Sequence, residues 1–245
     1  MKLAICSLFR DSQVWHGRNI NQVGRYFDQM TRQTLQPHET RFFLLEGNSQ
    51  DNTRRALGEF CDRGWPIELF EHNVEGSAVV SAVDEQRFRN LSTIGNILIR
   101  AAREWADLVL WVESDLIIPN NLIEVLVEAS PRHQFNEFAL SPVPTSFGGA
   151  QFYDTWGFEG VDGRKWNNHE LTALRSGPRY REMNSVGTCV MFNGEILRAC
   201  SFDMGEDGCL PGLCRSGRKK GLHVHCDTSI TVEHPSNELV AGRLI

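Results

Sequence analysis

Short apolar runs alternate with amphipathic segments over the first 112 residues, and this alternation restricts the fold more than any other feature of the sequence. The apolar runs at 3–9, 41–45, 67–70 and 108–112 are typical of buried strands. Strands that are separated by helices predict a mostly parallel central sheet with helices on both faces. The sequence therefore predicts an α/β fold.

Segments with helical spacing lie between these runs. Apolar residues recur every three or four positions from Asp84 to Trp105, which predicts a long amphipathic helix. A second helical pattern occupies residues 17–35, and Asp51 or Asn52 is suited to be the N-cap of a third helix. The chain up to residue 112 thus repeats the order strand–helix three times.

The length of the chain suits one α/β domain. We predict a single domain over residues 1–245, with a regular half at 1–116 and a less regular half at 117–245. Repeated glycines in the second half predict a loop-rich insertion at about residues 144–182. Such insertions over a sheet are the usual place for contacts that are specific to a substrate.

Charge and cysteine content exclude several classes of protein. The chain has 25 Lys and Arg residues against 31 Asp and Glu residues, which gives a net charge of −6. This charge excludes a protein that binds phosphates through a surface that is basic over the whole molecule. No apolar run approaches the roughly 18 residues that span a bilayer. The seven cysteines form no C-x-x-C pair, and no export signal is present, so we expect reduced thiols and a cytoplasmic location.

Ligands of parallel sheets bind beyond the carboxyl ends of the strands, so the polar segments that follow strands are the first candidates for a site. These segments are residues 7–10, 46–51 and 113–115. No glycine-rich phosphate loop and no G-x-S-x-G motif occurs in the sequence.

The sequence LVLWVESDLIIP contains the strongest local signal. Glu113 and Asp115 follow an apolar strand and flank Ser114, so in an extended chain both carboxylates face the same way. Two carboxylates in this arrangement suit a hard divalent cation, which commonly also binds substrate phosphates. An ordinary junction between strand and turn, with solvated acids, is the alternative.

Histidines and cysteines offer further candidate ligands. His234 follows a β-branched run, and its imidazole would be a reasonable third ligand for an ion such as Mn²⁺. His223 and His225 with Cys209 and Cys214 have spacings that are poor for a structural zinc site.

A second pair of acids, Glu206 and Asp207, precedes a predicted helix. A carboxylate in this place either complements the helix dipole or acts as a general base toward an acceptor hydroxyl. The basic run from Arg215 to Lys220 falls near the end of the same helix.

Three further residues have more than one interpretation. Arg87 and Asn96 lie nine positions apart on the predicted helix and cannot point the same way from a straight helix. Trp156 is either a platform on which a sugar ring stacks or a buried residue of the insertion.

Several segments, in this order along the chain, resemble glycosyltransferases of the GT-A type, in particular the fungal capsule-associated α-1,3-mannosyltransferases and Golgi α-1,6-mannosyltransferases. The matching segments are EGNSQDNT at 46–53, RFRNLSTIGN at 87–96, LVLWVESDLI at 108–117, FYDTWGFEGVDG at 152–163, EMNSVGTCVMF at 182–192, GEDGCLPGLCRSGRKKGL at 205–222 and ITVEHP at 230–235. Glu113 stands where the family usually has Asp.

The resemblance implies metal-dependent transfer of a hexose, either mannose or glucose, from a GDP- or UDP-linked sugar to an acceptor hydroxyl. It implies that residues 1–116 form the nucleotide-binding half and residues 117–245 the half for donor sugar and acceptor. The implied metal ligands for Mn²⁺ or Mg²⁺ are Glu113, Asp115 and His234.

The resemblance also assigns the remaining candidates. Those implied to bind the nucleotide-sugar are Ser7, Arg10, Glu46, Asn48, Asp51, Arg87, Asn96, Ser114, Asn184, Ser185 and Gly187. Those implied to face the acceptor are Tyr153, Asp154 and Trp156. These relatives retain configuration and require no protein base, whereas an inverting enzyme would use Asp207, beside Glu206, as the base.

Two other functions remain open at this stage. A nucleotidyltransferase that makes sugar nucleotides would also use a parallel sheet and a divalent ion, but it would want a glycine-rich basic loop after the first strand. A non-catalytic module that binds nucleotide-sugars or glycans is the second alternative. The acceptor is also open among a sugar, a lipid, a protein and a modified nucleic-acid base. The net negative charge disfavours the last of these, and the basic run from Arg215 to Lys220 keeps it open.

Overall fold

The computed structural model describes residues 1–15, 18–35, 39–74, 85–129, 137–168, 171, 177–200 and 209–235. The elements of the first half are β1 (Lys2–Phe9), β2 (Val14–Trp15), β3 (Arg18–Asn19), α1 (Gln22–Thr31), β4 (Glu39–Glu46), α2 (Thr53–Asp62), β5 (Ile67–Glu71), α3 (Glu85–Trp105) and β6 (Leu108–Val112). The elements of the second half are α4 (Leu122–Glu128), β7 (Glu137–Ser146), β8 (Gln151–Phe152), β9 (Glu159–Gly160), β10 (Tyr180–Ser185), β11 (Cys189–Asn193), α5 (Gly194–Cys200), α6 (Cys209–Lys219) and β12 (His223–Glu233).

Ten of the strands form one sheet in the order β5-β4-β1-β6-β11-β7-β12-β10-β9, with β8 attached to β7. The first four strands in this order are mutually parallel. β11 is antiparallel to both β6 and β7, so β7 and its parallel neighbour β12 run in the same direction as β6. The sheet is therefore mostly parallel, as the sequence predicts.

Both faces of the sheet are covered because alternate residues of the central strands point to opposite sides. Leu3 and Ile5 of β1 join Leu108 and Leu110 of β6 in one core, which packs against α1, α2 and α4. The other core contains residues of the opposite face together with residues of α3, α5 and α6. This double burial explains the uninterrupted apolar character of Leu108–Val112.

The predicted elements of the first half agree with the structure to within a few residues. β6 has the predicted bounds, and α3 covers the predicted helix from Glu85 to Trp105, while Asp84 lies outside the described residues. α1 covers only Gln22–Thr31 of the helical pattern at 17–35, because Asn21 caps it by accepting a hydrogen bond from the Gly24 N–H. None of the helices in the described ranges has the length and apolar character needed to cross a membrane.

Candidate functional site

The chain turns sharply where β6 ends, at the carboxyl edge of the parallel strands. The Leu116 N–H donates to the Glu113 carbonyl at 3.3 Å, so the acidic segment forms a turn and not the extended chain that the sequence suggested. Ile117 then pairs with Glu233 at the end of β12 through two backbone hydrogen bonds of 2.8 and 2.9 Å. The segment after β6 thus crosses the ends of β11 and β7 and reaches β12.

This crossing brings Asp115 and His234 together. The His234 Nε2 atom lies 2.8 Å from the Asp115 Oδ2 atom, and the ring of Tyr153 stacks on the imidazole at a centroid distance of 3.9 Å. The His234 N–H donates to the Thr145 carbonyl at 2.7 Å, which fixes the backbone beside β7. The side chains of His234 and Asp115 are 23% and 35% exposed, so the pair is open to a ligand from solvent.

Three carboxylates interact electrostatically around this pair. Burial raises the pKa of Glu113 well above its usual value, and the charges of Asp115 and Asp154 raise it further, while Arg87 opposes them. Burial acts on Asp115 in the same direction, but the hydrogen bond and charge of His234 and the charge of Arg25 outweigh it, so the pKa of Asp115 is lowered. The site therefore brings three carboxyl groups together at a place with partial access to water, and Asp115 is the one whose charged form is favoured.

The Asp115–His234 pair fits a divalent cation as two ligands. A carboxylate oxygen and an imidazole nitrogen are donors that Mn²⁺ accepts, so these two side chains would supply two of the ligands of such an ion. Among the described residues, no three His, Cys, Asp or Glu side chains are grouped so that they could hold a metal ion. Glu113 is thus not assembled with Asp115 and His234 as a set of three ligands in this structure.

Asp154 is buried in the loop after β8 and anchors this loop to the sheet. Its carboxylate accepts hydrogen bonds from the Gly157 N–H at 2.7 Å and from the Thr188 hydroxyl at 2.8 Å. Burial raises the pKa of Asp154, although these donors oppose the effect. Glycine is required at Gly187, because a Cβ atom there would lie 2.4 Å from the Asp154 carboxylate. Asp154 therefore has a supporting position behind Tyr153.

Thr188 connects Asp154 with the turn at residues 113–116, the acidic turn. Its carbonyl accepts the Glu113 N–H at 3.1 Å, while its hydroxyl binds Asp154. Its φ of 65° lies in the left-handed region, which is strained for a β-branched residue. No sequence motif pointed to Thr188, since the strain follows from contacts with residues distant in the chain.

α1 lies against the same acidic turn. Gln22 donates to the Ser114 hydroxyl at 3.1 Å, and Arg25 donates to the Asp115 carbonyl at 3.0 Å. Sequence reasoning missed both residues, because polar positions on a surface helix are usually solvated. Their three-residue spacing, which places them on one face, was the available signal.

Ser7 and Arg10, at the end of β1, have different environments. Ser7 is completely buried, and its hydroxyl is 2.7 Å from the Tyr26 hydroxyl of α1, so it lies in the core. Arg10 is about 39% exposed and lies 3.6 Å from the Asp11 carboxylate, at the sheet edge. Of the two, only Arg10 is accessible to a nucleotide.

The loop after β4 uses its polar side chains within the protein. Glu46 is buried and binds Arg54 at 2.7 Å, and it also accepts the Ser49 N–H. Asn48 forms two hydrogen bonds with the backbone of Val74, at 3.1 and 2.8 Å. These contacts fix the shape of the loop that the resemblance assigns to the base or ribose.

Asp51 joins this loop to the segment after β1. Its carboxylate accepts the N–H groups of Gln13, Val14 and Thr53 at 2.8, 2.9 and 2.9 Å, together with the Thr53 hydroxyl. Burial raises its pKa, but these hydrogen bonds dominate and lower it overall. Asn52 is the N-cap residue of α2, but its side chain makes no capping hydrogen bond.

The insertion folds back onto α3. The ring of Trp156 is stacked on Phe88 with a centroid distance of 5.0 Å, and it is 47% exposed. Lys165 donates to the Trp156 carbonyl at 2.8 Å and binds Glu159 at 3.2 Å. The Asn184 amide donates to the same Glu159 at 3.3 Å.

The other predicted residues divide between this surface and the interior. Ser185 is fully buried and donates to the Gly157 carbonyl at 2.7 Å. Arg87 is exposed in the first turn of α3, and its positive charge opposes the rise in the pKa values of Glu113 and Tyr153. Asn96 is partly buried further along the helix. Glu206 and Asp207 lie outside the described residues.

The alternative zinc set is not brought together by the described side chains. His223 lies 2.9 Å from Glu182, and Cys214 is buried with its thiol 3.9 Å from the Val186 carbonyl. His223 begins β12 and His234 follows its last residue, so His223 lies at the end of this strand that is remote from the acidic turn.

No protein-family model and no curated protein matches this sequence. Solved structures nevertheless match its fold. S. aureus TarS 1–349 superposes with a TM-score of 0.57 and 12% identity, over 100% of this chain and 63% of that chain. This TarS fragment is also known in complex with UDP-GlcNAc.

Two other matches contain Mn²⁺. Mannosyltransferase PcManGT from Pyrobaculum calidifontis, in complex with GDP-Man and Mn²⁺, has a TM-score of 0.58 and 11% identity, over 95% of this chain and 56% of that chain. GalNAc-T7 with UDP, GalNAc and Mn²⁺ has a TM-score of 0.61 and 11% identity, over 96% of this chain and 44% of that chain.

These likenesses define the fold class. The chain has the α/β fold of GT-A glycosyltransferases, which confirms the predicted fold. It spans 44% to 63% of the length of these three chains.

Proposed function

We propose that this protein is a glycosyltransferase that moves a hexose from a GDP- or UDP-linked sugar to an acceptor hydroxyl. The pairing of Asp115 with His234 inside an acidic cluster, at the carboxyl edge of the central strands, is the observation that carries the proposal. The fold supports it, since its structural neighbours include complexes with UDP-GlcNAc and with GDP-Man and Mn²⁺. Mannose, favoured by the resemblance to the fungal mannosyltransferases, is the first sugar to test.

In this proposal Asp115 and His234 would hold a divalent cation, Mn²⁺ or Mg²⁺, with Glu113 adding negative charge. When bound, the ion neutralises charge on the departing nucleoside diphosphate, which is the main catalytic need of such a transfer. Arg87 is exposed, and its positive charge acts on Glu113. It is therefore suited to bind a phosphate oxygen.

The remaining polar surface would receive the sugars. Arg10 and the loop fixed by Asn48 would border the nucleotide. Tyr153 covers His234, and one face of Trp156 is covered by Phe88, so Tyr153 and the uncovered part of Trp156 would contact the acceptor. Asn184 and the backbone at Gly187 would lie toward the donor sugar.

The loop after β1 disfavours the nucleotidyltransferase alternative. A phosphate cradle in that loop would need free backbone N–H groups. The N–H groups of Gln13 and Val14 are occupied by Asp51, that of Ser12 by Thr53, and that of Asp11 by Ser49. The described part of this loop therefore has its amide donors directed at the protein.

A thermal-shift panel of GDP-mannose, UDP-glucose and UDP-GlcNAc, each with Mn²⁺ and with EDTA, tests the proposal. We expect one donor to raise Tm by about 5 °C with Mn²⁺ at saturating concentration and not with EDTA. Asp115→Asn should abolish the shift, whereas Glu68→Gln, a change at an exposed acid of the edge strand β5, should leave it intact.

Turnover separates an enzyme from a binding module. An enzyme of this class should slowly release UDP or GDP from the donor that gave the shift, even with water as the acceptor. A shift with no nucleotide release under any acceptor tested would favour the non-catalytic module. No shift with any donor would contradict the proposed donor site.

A further inference from the structure

A stripe of polar side chains on α1 and just after it holds the backbone that carries the acids. Gln22, Arg25 and Gln29 are spaced by three and four residues and therefore share one face of the helix. Gln33 continues this stripe beyond the end of α1. These four residues are called the α1 polar stripe below.

Each member of the α1 polar stripe bonds to a successive part of residues 114–123. Gln22 binds the Ser114 hydroxyl and Arg25 the Asp115 carbonyl. Gln29 donates to the Leu116 carbonyl at 3.0 Å and accepts the Ile118 N–H at 2.8 Å. Gln33 donates to the Pro119 carbonyl at 3.0 Å and accepts the Ile123 N–H at 3.1 Å. The helix and the acidic turn are thus connected in register.

Arg25 is the member closest to the acids. Its Nε atom is buried and has no hydrogen-bond partner among the described residues. A guanidinium nitrogen is costly to bury without a hydrogen-bond partner, so packing alone does not account for an arginine at this position. Its hydrogen bond to the Asp115 carbonyl, beside that of Gln22 to the Ser114 hydroxyl, indicates a role at the acidic turn.

We propose that Gln22 and Arg25 are positioning residues that set the cation affinity of the acidic turn, an inference that rests on the proposed function. Gln22 and Arg25 fix the turn from below, and the two backbone bonds between Ile117 and Glu233 fix it from the side of β12. Asp115 then faces His234 before any ion binds. Loss of either support allows the carboxylate to move, and the affinity for the ion falls.

Binding of MnCl₂, measured by the electron paramagnetic resonance signal of free Mn²⁺ with GDP and with UDP present, tests this inference. Gln22→Ala removes a single hydrogen bond and should weaken Mn²⁺ binding about threefold to tenfold. Arg25→Lys keeps the positive charge but loses the planar guanidinium, so a loss of about tenfold reports positioning and not charge.

Gln33→Ala is the matched control, because Gln33 belongs to the same stripe but bonds four or more residues beyond Asp115. It should lower Tm while leaving Mn²⁺ affinity within about twofold of wild type. Should Arg25→Lys fail to fold, Gln22→Ala alone decides the matter.

The outcomes separate the two proposals. Wild-type Mn²⁺ affinity in both Gln22→Ala and Arg25→Lys, or an equal loss in Gln33→Ala, would overturn the positioning role while the proposed function stands. Absence of Mn²⁺ binding by the wild-type chain would contradict the metal-dependent function and this inference with it.

Discussion

At the scale of single residues, Thr188 shows how the site is held in a strained form. A left-handed backbone costs a residue with a Cβ atom about 1–2 kcal/mol. At this position the cost is offset by two hydrogen bonds: the Thr188 carbonyl accepts from the Glu113 N–H, and the Thr188 hydroxyl donates to Asp154. The acidic turn and the loop of Tyr153 therefore depend on one residue for their relative position.

Thr188→Val keeps the shape and the backbone of the side chain but removes the hydroxyl from the buried Asp154 carboxylate. We expect it to lower the free energy of unfolding by about 2 kcal/mol, since a buried acceptor loses its partner. Thr188→Ser keeps the hydroxyl and should cost less than about 1 kcal/mol. Urea denaturation of both variants checks this, and a Thr188→Val variant as stable as wild type would contradict it.

At the scale of elements, the regular parts of the fold follow from local pattern, and the site follows only in part. β6 and α3 are predicted because their apolar residues repeat with the period of their own element. Asp115 and His234 are predicted to meet because both follow strands of one sheet. The turn after Glu113 and the pairing of Ile117 with Glu233 are not predictable in this way, since the partner strand lies far away in sequence.

The α1 polar stripe and the contacts of the insertion show the same limit. A row of glutamine and arginine on a helix has the same pattern whether it faces water or a neighbouring loop. Ser7 is a candidate because it lies near the end of a strand, and the resemblance assigns it to the nucleotide. Alternate residues of β1 face opposite sides of the sheet, and Ser7 is on the side of Tyr26. Burial, which depends on partners from elsewhere in the chain, decides such cases.

The stack of Phe88 on Trp156 joins α3 to the insertion and offers a test at this scale. A double-mutant cycle with Phe88→Ala and Trp156→Ala should give a coupling energy of about 1 kcal/mol in the free energy of unfolding, as expected for parallel aromatic rings. Additive effects of the two changes would show that the insertion is held to α3 by other contacts.

At the scale of the whole molecule, the acidic cluster makes stability depend on pH. The pKa of Glu113 is raised by its burial and by Asp115 and Asp154, so the folded chain keeps a proton that the unfolded chain loses. The contribution of Glu113 to stability is then greatest below the ordinary pKa of 4.5 and is lost as the pH rises through the raised pKa. The Glu113 carboxyl group therefore costs the fold stability at pH values above 4.5.

Glu113→Gln removes this cost. In metal-free protein, we expect the Tm of Glu113→Gln to exceed that of wild type at pH 8 and the difference to shrink toward pH 5. Glu68→Gln, at an exposed position, should follow wild type over the same range. A Glu113→Gln variant that is less stable than wild type at pH 8 would show that Glu113 stabilises the fold as a carboxylate.

We propose that Asp115 and His234 form the cation site of a nucleotide-sugar transferase. Anomalous X-ray scattering from a crystal grown with MnCl₂ and either GDP or UDP tests it most directly. We expect an anomalous peak bonded to the Asp115 carboxylate and the His234 imidazole, next to the diphosphate. A diphosphate bound with no such peak, or a peak bonded to other residues, would contradict it.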